Sequence, residues 1–186
     1  MQLMDEYIDV ATKDGVLTGK KELKSIIHQK GLYHHTSHVW LYTKREEILL
    51  AQRSAQKIIC PLLWDVSVAG HIDARETPKQ AAIRETYEEI GVTLIEDDLK
   101  KIGVFKCFQS YDNGISDNEF HNTFIAELKV PLSKLTPQEG EVEALKLVSF
   151  ETFENLIKHS GENNHFVASN RPYYEIVFQN IVEKLQ

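Results

Sequence analysis

Alternating apolar and polar positions over Glu6 to Thr12 predict a strand, and Lys13-Asp14-Gly15 supplies the turn that ends it. Leu23, Ile26 and Ile27 recur at helical spacing ahead of Gly31, so a short helix is expected there, and residues 1–32 read as an N-terminal extension. The apolar runs Val39–Thr43 and Ile48–Gln52 flank polar Lys44–Glu47, the pattern of two strands joined by a hairpin turn. One further strand is expected over Asp65–Ile72. The period then changes to that of a helix. Thr77 can cap it, Pro78 suits its first position, Gln80 completes a capping box and Gly91 ends it. Ile83, Tyr87 and Ile90 fall on one side of this helix and are its expected buried face, which leaves Glu89 away from that face. Strands are expected at 104–110, 119–129 and 144–150, and helices at 151–159 and 171–185, the last burying Ile176, Ile181 and Leu185. Residues 160–170 read as a loop. These elements predict a single domain over 1–186 of the α/β (α+β) class, a mixed sheet with helices packed against it.

Composition narrows the function classes. The chain has 186 residues, enough for one ordinary core, with 42% hydrophobic and 26% charged residues, which excludes a disordered or low-complexity protein. Net charge is −7, with no basic run, so a nucleic acid backbone is not an expected partner. A phosphate ester would need a cation or a local basic site to be received. Cys60 and Cys107 are far apart and outside any C-x-x-C pattern. They predict neither a disulfide framework nor a thiolate metal site, and read as small buried hydrophobes in a reducing cytoplasm. The start Met-Gln-Leu-Met-Asp-Glu-Tyr has neither the basic nor the apolar region of a signal peptide, and no apolar stretch approaches 18 residues, so no membrane partner is expected.

Candidate chemistry begins with Glu85, Glu88 and Glu89, which a helix brings within about 100° of arc. One reading is a solvated acidic face, partly neutralised by Arg84 four residues before Glu88. The other is a divalent-metal site, because hard cations prefer carboxylate and carbonyl oxygens and keep positions open for water and phosphate.

The whole segment Gly70–Val92 separates the two readings. It resembles the Nudix box, G-x5-E-x7-R-E-U-x-E-E-x-G-U with U aliphatic, at Gly70, Glu76, Arg84, Glu85, Glu88, Glu89, Gly91 and Val92. Thr86 alone departs, standing where an aliphatic residue is usual, and reads as a packing variant. The resemblance implies a Nudix fold and Mg²⁺- or Mn²⁺-dependent cleavage of a nucleoside diphosphate linked to some moiety X, or of a similar small diphosphate. It implies that Glu85, Glu88, Glu89 and the Gly70 carbonyl hold metal while Arg84 orients the glutamates.

Residues Tyr33–Ala126 further resemble the branch that contains type I isopentenyl diphosphate isomerase and its hydrolase-like relatives. By that resemblance His34 and His71 match imidazole ligands of a second metal site, Asp117 and Glu119 match its carboxylates, and Arg53 and Lys57 match diphosphate-binding cations. The alternative for His71 is a structural or exposed histidine. Ala69 stands where the isomerase has its catalytic cysteine, and a methyl group moves no proton, so isomerisation is not expected. The readings that stay open are a diphosphate hydrolase, an isomerase-like enzyme and a non-catalytic diphosphate sensor. An intact set of box glutamates favours the first. Glu88 and Glu119 are rivals for the base that activates water, and Glu119 is the expected one, as base or as an additional metal ligand, because a cation and Arg84 would hold the Glu88 carboxyl low. His35 and His38 extend an imidazole-rich edge, whereas His28, His121, His159 and His165 show no recognisable spacing. Recognition of X falls to loops such as 108–119 and 160–170, with Trp64, Phe108 and Tyr111 as stacking candidates. Homodimerisation is a further expectation from the family.

Overall fold

The computed structural model describes residues 6–186. The reading of the chain's first residues therefore falls partly on 1–5, outside the described residues. In chain order the elements are β1 (Tyr7–Ala11), β2 (Leu17–Leu23), α1 (Lys24–Lys30), β3 (Tyr33–Thr43), β4 (Glu47–Arg53), β5 (Trp64–Asp65), β6 (Val68–His71), α2 (Pro78–Ile90), β7 (Lys100–Ser110), β8 (Ser116–Glu127), β9 (Val142–Ser149), α3 (Phe150–Lys158) and α4 (Arg171–Leu185). All nine strands join one sheet. It is mixed because β3 pairs in parallel with β8, from Tyr33↔Asn118 to Tyr42↔Glu127, while its pairings with β1, β4 and β6 are antiparallel.

Strand alternation divides the core into two layers. On one face Trp40, Tyr42, Ile48 and Leu50 pack with Phe153 and Ile157 of α3 and with Tyr174, Val177 and Ile181 of α4. On the other face Val39, Leu41, Leu49 and Phe124 pack against Ala82 and Ile90 of α2. The expected mixed sheet between helices is thus present. Among the described residues no helix is long and apolar enough to cross a membrane.

Several local expectations are corrected. Residues 17–23 form β2, a largely exposed strand whose partner β1 lies far enough upstream that no local period announces it. The single strand over Asp65–Ile72 is two short ones, β5 pairing with β4 and β6 with β3. The histidine-rich edge lies inside β3, which is much longer than its apolar run. Helix α2 has the expected capping box and Gly91 at φ +74°, but it is rotated from the expected face. Tyr87 is 62% exposed, whereas Ala81, Ala82, Thr86, Glu89 and Ile90 are buried. Thr86 satisfies its buried hydroxyl by donating to the Ala82 carbonyl at 2.6 Å, so a polar residue fills an aliphatic place without an orphaned group. On α4, Ile176 is exposed, and Tyr173, Tyr174, Val177 and Ile181 form the buried side.

Candidate active site

The box residues meet where α2 crosses β6. Arg84 is their hub. Its Nε and Nη2 donate to the two Glu76 oxygens at 3.0 and 2.8 Å, Nη1 donates to Glu85 at 2.7 Å and to Glu88 at 3.1 Å, and Nη2 also reaches the His71 carbonyl at 3.0 Å. Glu85 lies flat against Gly70, where a Cβ would sit 1.9 Å from its carboxyl carbon. Glycine is therefore required here for room. Glu89 does not face solvent, contrary to the sequence expectation: it is 8% exposed and accepts from the Ala69 N–H at 3.3 Å. Burial, with the Glu85 charge added, pushes its carboxyl up to about 8, and burial raises Glu85 to about 6 despite Arg84. Glu88 is the exposed member, with 47% of its side chain accessible.

A second constellation lies on the neighbouring strands. In β3 and β8, His34 pairs with Glu119 and Thr36 with His121, while β6 brings His71 opposite Thr36 and β7 brings Cys107 opposite Glu119. Donor atoms of His28, His34 and His71 lie within 4.8 Å of one another, as do those of His34, Asp117 and Glu119. His34 donates from Nδ1 to the Leu32 carbonyl at 3.0 Å. In the neutral ring Nε2 is then a buried lone pair, facing Glu119 Oε1 at 3.5 Å. His28 Nδ1 and Asp117 Oδ1, 3.2 Å apart, are likewise buried without a hydrogen-bond partner. Converging lone pairs that lack donors fit a cation. The imidazole and carboxylate donors suit a first-row transition ion, and the oxygen-only box donors suit Mg²⁺.

The field in this cluster is divided. Burial alone would raise Glu119, but the hydrogen bond from His121 and the nearness of His34 outweigh it and hold that carboxyl well below its usual range. Burial and the Glu119 charge push Asp117 upward. Burial, with Lys24 and His34 adding to it, holds the His71 ring well below the ordinary histidine value, and hence neutral.

Of the sequence candidates, Glu85, Glu88, Glu89, Gly70 and Arg84 come together, and so do His34, His71, Asp117 and Glu119. His28 was missed, because only the docking of α1 carries it beside His71, with the two Nε2 atoms 3.1 Å apart. Lys24, at the start of the same helix, was missed too. It pairs with Glu6 at 2.9 Å, and the charges of Glu85 and Glu141 also act on it. His121 belongs to the site as well, donating to Glu119 at 2.8 Å and stacked on His38. His35 points to the opposite face, where it binds the Gly15 carbonyl, and Phe108 packs there with Tyr33 and Phe120. Arg53 donates to the Ile59 carbonyl, and Lys57 is ion-paired with Glu141. Cys107 is a site-lining residue, not a plain core hydrophobe: it accepts from Asn170 Nδ2 at 3.0 Å.

Residues 32–169 match the NUDIX domain, most of the chain and most of the site above, with Lys24, His28 and Asn170 outside the match. The chain belongs to the Nudix family. It is 37% identical over 160 residues to Nudix hydrolase 3 of Arabidopsis thaliana, covering 83% of this chain and 21% of that protein, so the chain spans about a fifth of that relative's length. It is 29% identical over 137 residues to an isopentenyl-diphosphate Delta-isomerase of an Enterobacter species, covering 73% of each. The crystal structure of a MutT protein from Methanosarcina mazei superposes with a TM-score of 0.60 at 19% identity, over 80% of this chain and 94% of that one. That likeness establishes the Nudix fold; the isomerase likeness places the chain near that branch.

Proposed function

We propose that this Nudix protein hydrolyses the phosphoanhydride bond of a small diphosphate, a nucleoside diphosphate linked to X or a similar compound, with Mg²⁺ or Mn²⁺ as cofactor. The observation that carries this reading is the convergence on β6 of two donor sets. Glu85, Glu89 and the Gly70 carbonyl form one, with exposed Glu88 at its edge, and His28, His34, His71, Asp117 and Glu119 the other. Three carboxylates and a line of buried lone pairs in an acidic chain repel a diphosphate unless cations stand between them.

A divalent ion held by Glu85, Glu89 and the Gly70 carbonyl would supply neutralisation of the phosphate charge and acidify the attacking water. Arg84 keeps Glu85 and Glu88 in fixed orientation through its paired hydrogen bonds. Arg53, Lys57 and Lys24 receive the diphosphate. Glu119, gripped by His121 and facing His34, serves as a ligand, while the exposed Glu88, held by one Arg84 N–H, accepts the proton from water. Isomerisation does not follow, because Ala69 pairs in register with His38 and supplies no acid at that point.

The test is a panel of nucleoside, sugar and prenyl diphosphates with Mg²⁺ or Mn²⁺, read by phosphate release and product mass. Hydrolysis of at least one class, lost in EDTA, is expected. Deuterium uptake from D₂O into an allylic product, without phosphate release, would overturn the reading in favour of an isomerase.

A further inference from the structure

The cations assigned to the diphosphate differ in their partners: Lys24 pairs with exposed Glu6 at 2.9 Å. Lys57 already has an anionic partner, Glu141, and the pair is half-buried, with side chains 28% and 38% exposed. The pairing is built into the backbone. The Glu141 carbonyl accepts from the Ser54 N–H at 3.0 Å and its N–H donates to Gln138 at 3.2 Å. Glu143 accepts from the Ala55 N–H at 3.2 Å, so the loop carrying Lys57 is docked on the segment carrying Glu141. That segment is in turn fixed to the end of α2, where Gln138 donates to the Glu89 carbonyl at 2.8 Å and Thr136 to that of Ile90 at 2.9 Å. The charges of Glu141 and Lys57 both act on the Glu89 carboxyl, and that of Glu141 also acts on Lys24. Glu141 therefore stands among the box glutamates and the phosphate-binding cations, although it belongs to no motif.

We propose that Glu141 is a resident counter-ion of Lys57, displaced when a diphosphate binds and returning when the products leave. The inference rests on Lys57 being a diphosphate-binding residue. A single carboxylate is a weaker partner for an ammonium than a diphosphate of higher charge, since Coulomb attraction grows with the product of the charges. Displaced but tethered, the carboxylate remains at high effective concentration and competes for Lys57 continuously. The consequence is an affinity set below its maximum. Lys57 is kept from retaining monophosphate products, and their release is hastened. Glu141 is thus a positioning residue that acts through Lys57 and touches no reacting atom.

The experiment is calorimetric titration of inorganic diphosphate, with Mg²⁺ present throughout, into wild type, Glu141→Gln, Lys57→Gln and the double variant, with circular dichroism melting as the control for folding. Removing the competitor is expected to tighten binding about 3- to 10-fold in Glu141→Gln, the scale of a partly exposed ion pair. Lys57→Gln is expected to weaken it, and adding Glu141→Gln to Lys57→Gln to change it less than about 2-fold. Turnover of Glu141→Gln should show KM and kcat falling together, as retained product becomes limiting; a merely structural residue would raise KM and lower melting temperature. Unchanged or weaker binding in Glu141→Gln, with Lys57→Gln still weakened, overturns the counter-ion role alone. Equal tightening in both backgrounds also overturns it, because the effect is then the general loss of a negative charge. Wild-type affinity in Lys57→Gln removes Lys57 from the diphosphate site and takes the underlying assignment with it.

Discussion

The sharpest steric demand at the scale of single residues is at Gly70, where Glu85 occupies the space of a side chain. Gly70→Ala should fold, because the atoms in the way belong to a movable carboxylate. It should lose about 100-fold or more in turnover, because that carboxylate is displaced from its place beside Arg84. Steady-state kinetics beside a circular dichroism melt will separate the two effects; unimpaired turnover would show that Glu85 is not held in a working position. Glu88 and Glu119 are told apart in the same way. Glu88→Gln is expected to lower kcat about 100-fold with metal affinity retained, and Glu119→Gln to lower metal affinity and kcat together. The reverse pattern would exchange their roles. Neither role is written in residue type. The difference lies in burial and partners: Glu119 is bonded by His121 and faces His34, whereas Glu88 stays half-open to water.

Among the elements, β9, β5 and the 160–170 segment meet in a cluster of Lys146, Trp64 and His165. Lys146 Nζ lies 4.0 Å from the centre of the Trp64 ring and 2.6 Å from His165 Nε2, and the Trp64 and His165 rings are nearly parallel. The ammonium donates, so the imidazole must accept and stay neutral. Burial and the Lys146 charge accordingly lower His165 to about 4. A histidine with a depressed folded pKa takes up its proton more readily when unfolded. Its contribution to stability is whole above the unfolded value near 6.5 and is lost as pH falls towards 4. The melting temperature should therefore decline between pH 6.5 and 4.5, and part of that decline should vanish in His165→Gln; identical pH profiles would refute the arrangement. The same segment ends at Asn170, which bonds Cys107 opposite Glu119, so an element distant from the box in sequence forms one wall of the site.

For the molecule as a whole, Arg84 offsets only part of the charge of the clustered box carboxylates, and a bound divalent ion would offset more. Saturating Mn²⁺ at about 100 times its Kd is expected to stabilise the fold by about 2.7 kcal/mol, a rise in melting temperature of about 5–10 °C for a chain of this size. EDTA should reverse the shift and abolish turnover. Unchanged melting together with full activity in EDTA would sink the metal-dependent mechanism.

What the sequence determined by itself was local and periodic. The box is contiguous, so Thr77, Gln80, Gly91, Arg84 and the three glutamates could be placed on one capped helix from spacing alone. The two helices after β9 and the Lys44–Glu47 hairpin turn were legible for the same reason. Tertiary structure decided which way each face pointed. Tyr87 and Glu89 exchanged their expected environments because α2 docks through small Ala81 and Ala82, which allow close approach to the sheet, and a hydropathy pattern gives such residues little weight. It also decided which distant residues meet. His28, Lys24, His121 and Glu141 reach the site through a short docked helix, a parallel strand pair and a loop tied to the end of α2. Such contacts are set by long-range packing and register, which leave no period in the chain that carries them.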